Sequence, residues 1–146
     1  MTAKSEAESR RGGYRLDRQV GFLLRKANQR HLSIFKTAMS DLTPRQFASL
    51  AMLWQMGPVS QNALGRATAM DAATIKGVID RLQSRDLVTA TPDPQDRRRL
   101  TVALTAAGQA LFQDRVEEAR SVTRRTLTPL SADEQEQFLA LLKRLT

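Results

Sequence analysis

Three consecutive arginines, Arg97, Arg98 and Arg99, follow the stretch Pro92-Asp93-Pro94-Gln95-Asp96. Prolines and aspartates keep such a stretch out of a regular ladder, so the arginines belong to an exposed turn. Guanidinium groups at a narrow tip can enter the minor groove of a DNA duplex, where negative potential is focused. Asp96, two residues before Arg98, is placed to hold that guanidinium. A solvated turn is the plainer reading, and the helix pair upstream weighs against it. There a second set stands at helical spacing on one side of a helix. Thr74, Gly77 and Arg81, with Lys76 beside them, are small or long and polar, as suits a helix laid against base edges in a major groove.

Other chemistry is poorly supplied. The chain has no cysteine, which excludes disulfides, thiolate metal sites and thiol redox sensing. Its one histidine, His31, sits on an apolar stripe, where a hydrogen-bonded core or interface residue is expected rather than a ligand or base. No metal-ligand cluster, glycine-rich phosphate loop or nucleophile–base pair is apparent, so neither an enzyme nor a cofactor is expected.

The elements that must position the two sets follow from periodicity. Ile75, Val78, Ile79 and Leu82 fall at i, i+3, i+4, i+7 and bury one face of a helix opened by Asp71. Leu100, Val102 and Leu104 alternate as in a strand, predicting a two-stranded hairpin with the arginines at its tip. Ser60 caps a short helix to about Ala67, and Thr68–Met70 make the turn between the two helices. Helix, turn, helix and hairpin in this order read as a winged helix. Before it, Thr43, Pro44 and Gln46 make a capping box for a helix carrying Phe47, Leu50, Ala51 and Trp54, stopped at Gly57-Pro58. After it, Thr105 caps a helix to about Leu127 and Ser131 with Glu134 caps the last, which carries Phe138, Leu141, Leu142 and Leu145.

A first helix is predicted from Leu16 to Met39, with Leu16, Val20, Leu23, Leu24, Ala27, His31, Ile34, Phe35 and Ala38 as its apolar stripe. Beside it run Arg18, Arg25, Lys26, Arg30 and Lys36, with Phe22 among them. This is either a solvated basic face or an anion site. The net charge of +8 is unevenly spread: residues 1–56 hold ten Lys/Arg against four Asp/Glu, residues 57–105 seven against five, and residues 106–146 six against six. Most of the excess therefore lies upstream of the winged helix. Residues 1–13 read as a disordered polar tail. The 146 residues make one domain. No apolar run reaches the length of a membrane span and the start lacks a signal-peptide core, so a cytoplasmic protein without a membrane partner is expected.

At LTPRQFASL, ATIKGVIDRLQSRDLV and DPQDRRRLTVALTAAG the chain resembles the MarR family of bacterial transcription regulators, and the resemblance spans roughly residues 14–146. It implies a mainly α fold with a small β-hairpin wing: a winged helix-turn-helix over 42–105, flanked by dimerisation helices over 14–40 and 106–146. The partners implied are a second copy of the chain, double-stranded DNA with a pseudo-palindromic operator, and a small-molecule effector that ends repression. Carried over by position, Arg98 is the minor-groove arginine and Asp96 its orienting partner, flanked by Arg97 and Arg99; Asp71, Ala72, Ala73, Thr74, Lys76, Gly77 and Arg81 contact bases and phosphates. Leu16, Val20, Leu23, Leu127, Leu130, Phe138, Leu141, Leu142 and Leu145 would form the dimer interface. The effector would be a phenolic or other aromatic anion, or an aromatic acyl-coenzyme A whose phosphates the basic first helix would hold. Arg18, Phe22, Arg25, Lys26, Arg30, Phe35, Met39, Phe47, Leu50, Trp54 and Phe112 are its candidate contacts. The chain departs from thiol-based peroxide sensors in having no cysteine. Gly77 costs its helix about 1 kcal/mol against alanine, and close approach of backbone to DNA would account for it. The alternative is a winged helix used for protein contact or for architectural DNA binding without an effector.

Overall fold

The structure, a computed structural model, describes Ala3, Lys4, Glu6, Ala7 and residues 12–146. The tail expected over 1–13 thus falls mostly outside the described residues. A single 3-10 turn, Leu16–Arg18, precedes α1 (Val20–Ala38) and α2 (Pro44–Met56). Then come β1 (Val59–Ser60), α3 (Gln61–Ala67), α4 (Ala72–Ser84), β2 (Val88–Pro92), β3 (Leu100–Leu104), α5 (Ala106–Thr126) and α6 (Ala132–Lys143). None of the described helices is long and apolar enough to cross a membrane.

Two expectations need correction. The first helix does not run unbroken from Leu16, because Gln19 is extended (φ −92°, ψ 134°) and its side-chain amide donates to the Arg15 carbonyl at 2.9 Å. The expected hairpin forms, β2 pairing with β3 from Val88 with Leu104 to Pro92 with Leu100, but a third strand not expected joins it in an antiparallel sheet of order β1-β3-β2. Val59 pairs with Val102 and Ser60 with Thr101. Two residues are too few to display alternation, so this edge strand leaves no mark in the sequence.

The caps form as their side chains require. Thr43 accepts from the Gln46 amide while Gln46 Oε1 accepts from the Thr43 amide, both at 3.1 Å, and Ser131 with Glu134 repeats the arrangement. Asp71 Oδ1 accepts from the Thr74 amide at 2.7 Å. Gly57 ends α2 at φ 75°, a conformation only glycine adopts freely. Thr105 accepts from the Gly108 amide and donates its hydroxyl to the Asp86 carbonyl, tying the start of α5 to the end of α4. A Cβ at Gly108 would stand 2.0 Å from the Leu87 carbonyl oxygen, so only glycine allows this approach.

Two cores result. The larger joins Leu42, Leu50, Leu53, Leu64, Ile75, Ile79, Leu82, Val102 and Phe112, and thus packs α2, α3, α4, the sheet and one end of α5. The smaller joins Phe35, Met39 and Val122, and packs α1 on the other part of α5. Phe47 touches both cores.

Candidate nucleic-acid interface

The candidate contact surface of α4 is the side that the core leaves open. Ile75, Val78, Ile79 and Leu82 are buried, so the opposite side runs through Ala73, Gly77, Asp80 and Ser84, flanked by Lys76 and by Thr74 with Arg81. Of the expected stripe Arg81 is exposed and Thr74 and Gly77 are half-buried, with Ala72 and Ala73 exposed in the first turn. Asp80 is the residue that sequence reading passed over. Its carboxylate takes Lys76 Nζ at 2.9 Å, an i,i+4 pair with side chains 57 % and 65 % exposed. The spacing was the available signal. A Cβ added to Gly77 would meet nothing within 4 Å, so packing within the chain gives no reason for glycine there. At the N-terminus of α4, the amide of Thr74 and then its hydroxyl hold the Asp71 carboxyl below its usual pKa.

The wing tip is built by its own backbone. Asp93 N–H donates to the Arg99 carbonyl at 2.7 Å and Arg99 N–H to the Asp96 carbonyl at 2.9 Å. Asp96 Oδ1 accepts from the backbone N–H of Arg98 at 3.1 Å, not from its guanidinium. The bond from Asp96 to the Arg98 guanidinium expected from the sequence is not formed in the single chain, where Asp96 instead fixes the turn before Arg98. Among the described residues no carboxylate pairs with Arg97, Arg98 or Arg99, and all three side chains are exposed. Arg98 and Arg99 line a small cavity of about 80 Å³ with Ser60, Gln61 and Asn62, which sets the wing beside the start of α3.

The candidate effector residues do not converge. Met39 and Leu50 are 2 % and 0 % exposed, and Phe35 and Phe112 are also buried, so these side chains fill the cores instead of lining an open cleft. Phe47 packs between Phe35 and Phe112, and Trp54 lies 5.4 Å from Phe112 between ring centroids. Arg30 caps α5: it donates to the carbonyls of Arg125 (2.9 Å) and Thr126 (3.3 Å) and to Thr128 Oγ1 (3.2 Å). Lys26 Nζ sits 5.6 Å from the Phe22 ring centroid, and Arg18 and Arg25 are exposed. His31 meets the expectation of a hydrogen-bonded residue, with Nδ1 3.1 Å from Thr126 Oγ1. An open cleft does exist elsewhere. About 660 Å³ in volume, it lies between α1, the N-terminus of α2 and the flank of α4, with Asn28, Thr43, Arg45, Thr74, Gly77 and Arg81 on its walls.

A third surface is apolar. Leu16, Val20, Leu23 and Leu24 near the start of the chain and Phe138, Leu139, Leu141 and Leu145 near its end are 39–72 % exposed. Leu127, expected on this face, is buried within the chain at 7 %.

A short helix, a turn, a second helix with an open polar side and an arginine-tipped sheet together define a winged helix-turn-helix of the DNA-binding class. The MarR family model matches residues 42–100. The chain is 42 % identical to the HTH-type transcriptional repressor NicR of Pseudomonas putida over 146 residues, covering 99 % of this chain and 92 % of the relative. BpsR of Bordetella bronchiseptica, whose structure concerns regulation of its DNA binding by 6-hydroxynicotinic acid, aligns at 41 % identity and a TM-score of 0.83 over 87 % of this chain and 98 % of that one. A mutant form of Escherichia coli MarR complexed with operator DNA aligns at 26 % identity and a TM-score of 0.80 over 86 % and 92 %. The chain belongs to the MarR family, whose members are transcription regulators and not enzymes.

Proposed function

We propose that this protein is a homodimeric repressor that binds a pseudo-palindromic operator and leaves it when a small aromatic carboxylate binds. The unpaired arginines of the wing, beside the open face of α4, carry the DNA half of the reading. Asp71, Ala72, Ala73, Thr74, Lys76, Gly77 and Arg81 meet bases and phosphates in the major groove, and Arg98 meets the minor groove with Arg97 and Arg99 beside it. Two copies of α4 reach successive major grooves only if the subunits pair, and the apolar ends of the chain supply the surface for pairing.

The effector half rests on the cleft between α1, α2 and α4. A ligand there can release DNA by favouring another arrangement of the recognition helices or by occupying Arg81 itself, so a site bordered by α4 is well placed. Arg45 and Arg81 on its walls suit one carboxylate, and the volume is ample for a small aromatic acid. The regulation of BpsR by 6-hydroxynicotinic acid supports this class of compound. A coenzyme A thioester fits less well, because Arg18, Arg25 and Lys26 do not border the cleft and Arg30 is engaged by α5.

The test is footprinting on the intergenic DNA upstream of the gene, repeated with hydroxylated aromatic acids and with their thioesters. Two protected half-sites lost on adding a free acid are the expected result. Uniform weak protection would favour an architectural role, and release by the thioester alone would return the basic first helix to consideration.

A further inference from the structure

After α1 the chain passes from one core to the other through only Ser40 and Asp41. Met39 belongs to the smaller core and Leu42 to the larger, and Asp41 lies between them. Two arginines from distant elements meet there. Arg115 of α5 donates to both carboxylate oxygens of Asp41, 2.8 Å from Nη2 to Oδ2 and 3.4 Å from Nε to Oδ1. Arg85, the C-cap of α4, donates to the Asp41 carbonyl at 2.8 Å. The Arg115 and Asp41 side chains are 28 % and 37 % exposed, so solvent screens the pair less than it screens the fully exposed ones. A two-point contact to a carboxylate fixes direction as well as distance.

None of the three residues lies on the open side of α4 or on the wing, so DNA contact does not account for them. Their placement does: one joins the far end of α4 to the junction, another joins α5 to the same junction. We propose that Asp41, Arg85 and Arg115 form a strut that sets the direction of α4 against the frame of α1 and α5, which makes them positioning residues for operator binding. In a dimer, a tilt of α4 at its far end alters the separation of the two recognition helices. The strut therefore governs how strictly the protein selects the spacing of half-sites. It also adjoins a cavity of about 550 Å³ that shares Leu32, Thr43, Pro44 and Gln46 with the effector cleft, so a ligand there acts beside it. This inference rests on the reading of a homodimer on a palindromic operator.

The experiment begins by letting the wild-type protein select palindromic duplexes from a random library. Affinities are then measured for the selected duplex and for versions with one base pair added or removed between half-sites. Asp41→Ala, Arg85→Ala and Arg115→Ala should each bind the selected duplex about 5- to 20-fold more weakly, the lower part of the usual range of coupling between sites. They should lose less on the altered spacings, so that discrimination shrinks. The double variant of Asp41 and Arg115 should be no worse than either single one. Unchanged discrimination in the variants, whether affinity holds or falls equally on all duplexes in step with melting temperature, would overturn the strut. If the wild-type protein selects no duplex, the operator reading itself fails, which is a distinct result.

Discussion

Arg98 carries the sharpest expectation at the level of single residues. Its side chain is exposed and free of carboxylates, and its backbone N–H is fixed by Asp96. Removing it should leave the fold intact and weaken operator binding by about 1–3 kcal/mol, the scale of one good base-directed contact. Titration of Arg98→Ala against a labelled operator checks this, and wild-type affinity would remove Arg98 from the interface. Gly77 provides the converse case. Nothing in the chain occupies the place of its missing Cβ, so alanine should stabilise α4 by about 1 kcal/mol. If DNA approaches the backbone there, Gly77→Ala will melt later and yet bind the operator less well. A variant that gains stability and keeps its affinity would return Gly77 to chance. Asp80 adds a charge of the wrong sign to this face. Its pair with Lys76 takes one of the three Nζ donors of that lysine and leaves two for another acceptor.

The helix caps make a pH prediction at the level of elements. The Asp71 carboxyl is held below its ordinary value of 3.8 by the amide of Thr74, and Glu134 is held below 4.5 by the amide of Ser131. Asp41 is lowered too, by its hydrogen bond with Arg115. A carboxyl whose folded pKa is depressed contributes stability above its unfolded pKa, and that contribution disappears as pH falls through the folded value. Melting temperature should therefore be level from neutrality down to about pH 5 and fall below the ordinary carboxylate range. Asp71→Asn should show a shallower fall on the acid side, and a fall as steep as that of the parent would discount the cap. These same caps explain why so much was legible in the sequence. Thr43 with Gln46, Ser60, Asp71, Thr105 and Ser131 with Glu134 all act within three residues, so their spacing states their role. Illegible features depend on distance along the chain. Arg115 meets Asp41 from 74 positions away, and Arg30 meets α5 from 95 and 96 away. Periodicity marked Phe35, Leu50 and Phe112 as apolar, but whether such residues line a cleft or fill a core depends on partners brought in by the fold.

The molecule as a whole ends in surfaces that a single chain does not cover. Val20 is 65 % exposed and Leu141 57 %, on two helices at opposite ends of the sequence, each with further exposed leucines beside it. Contiguous apolar surface of this kind marks an association site. A two-fold partner would bury it, set two recognition helices apart and make operator binding bivalent. Val20→Glu and Leu141→Glu alter side chains that face solvent in the single chain, so each variant should keep its helical circular dichroism. Wild-type protein should sediment as a dimer and the variants as monomers. Operator affinity should then drop by about 10²- to 10⁴-fold, the loss that follows when two linked contacts become one. The salt dependence offers an independent check. Each phosphate neutralised adds about 0.9 to the slope of log affinity against log salt, so a monomer on one half-site should show roughly half the slope of the dimer. A charged variant that stays dimeric and tightly bound would place the interface elsewhere on the surface, and a monomeric variant with the full slope would overturn binding through two half-sites.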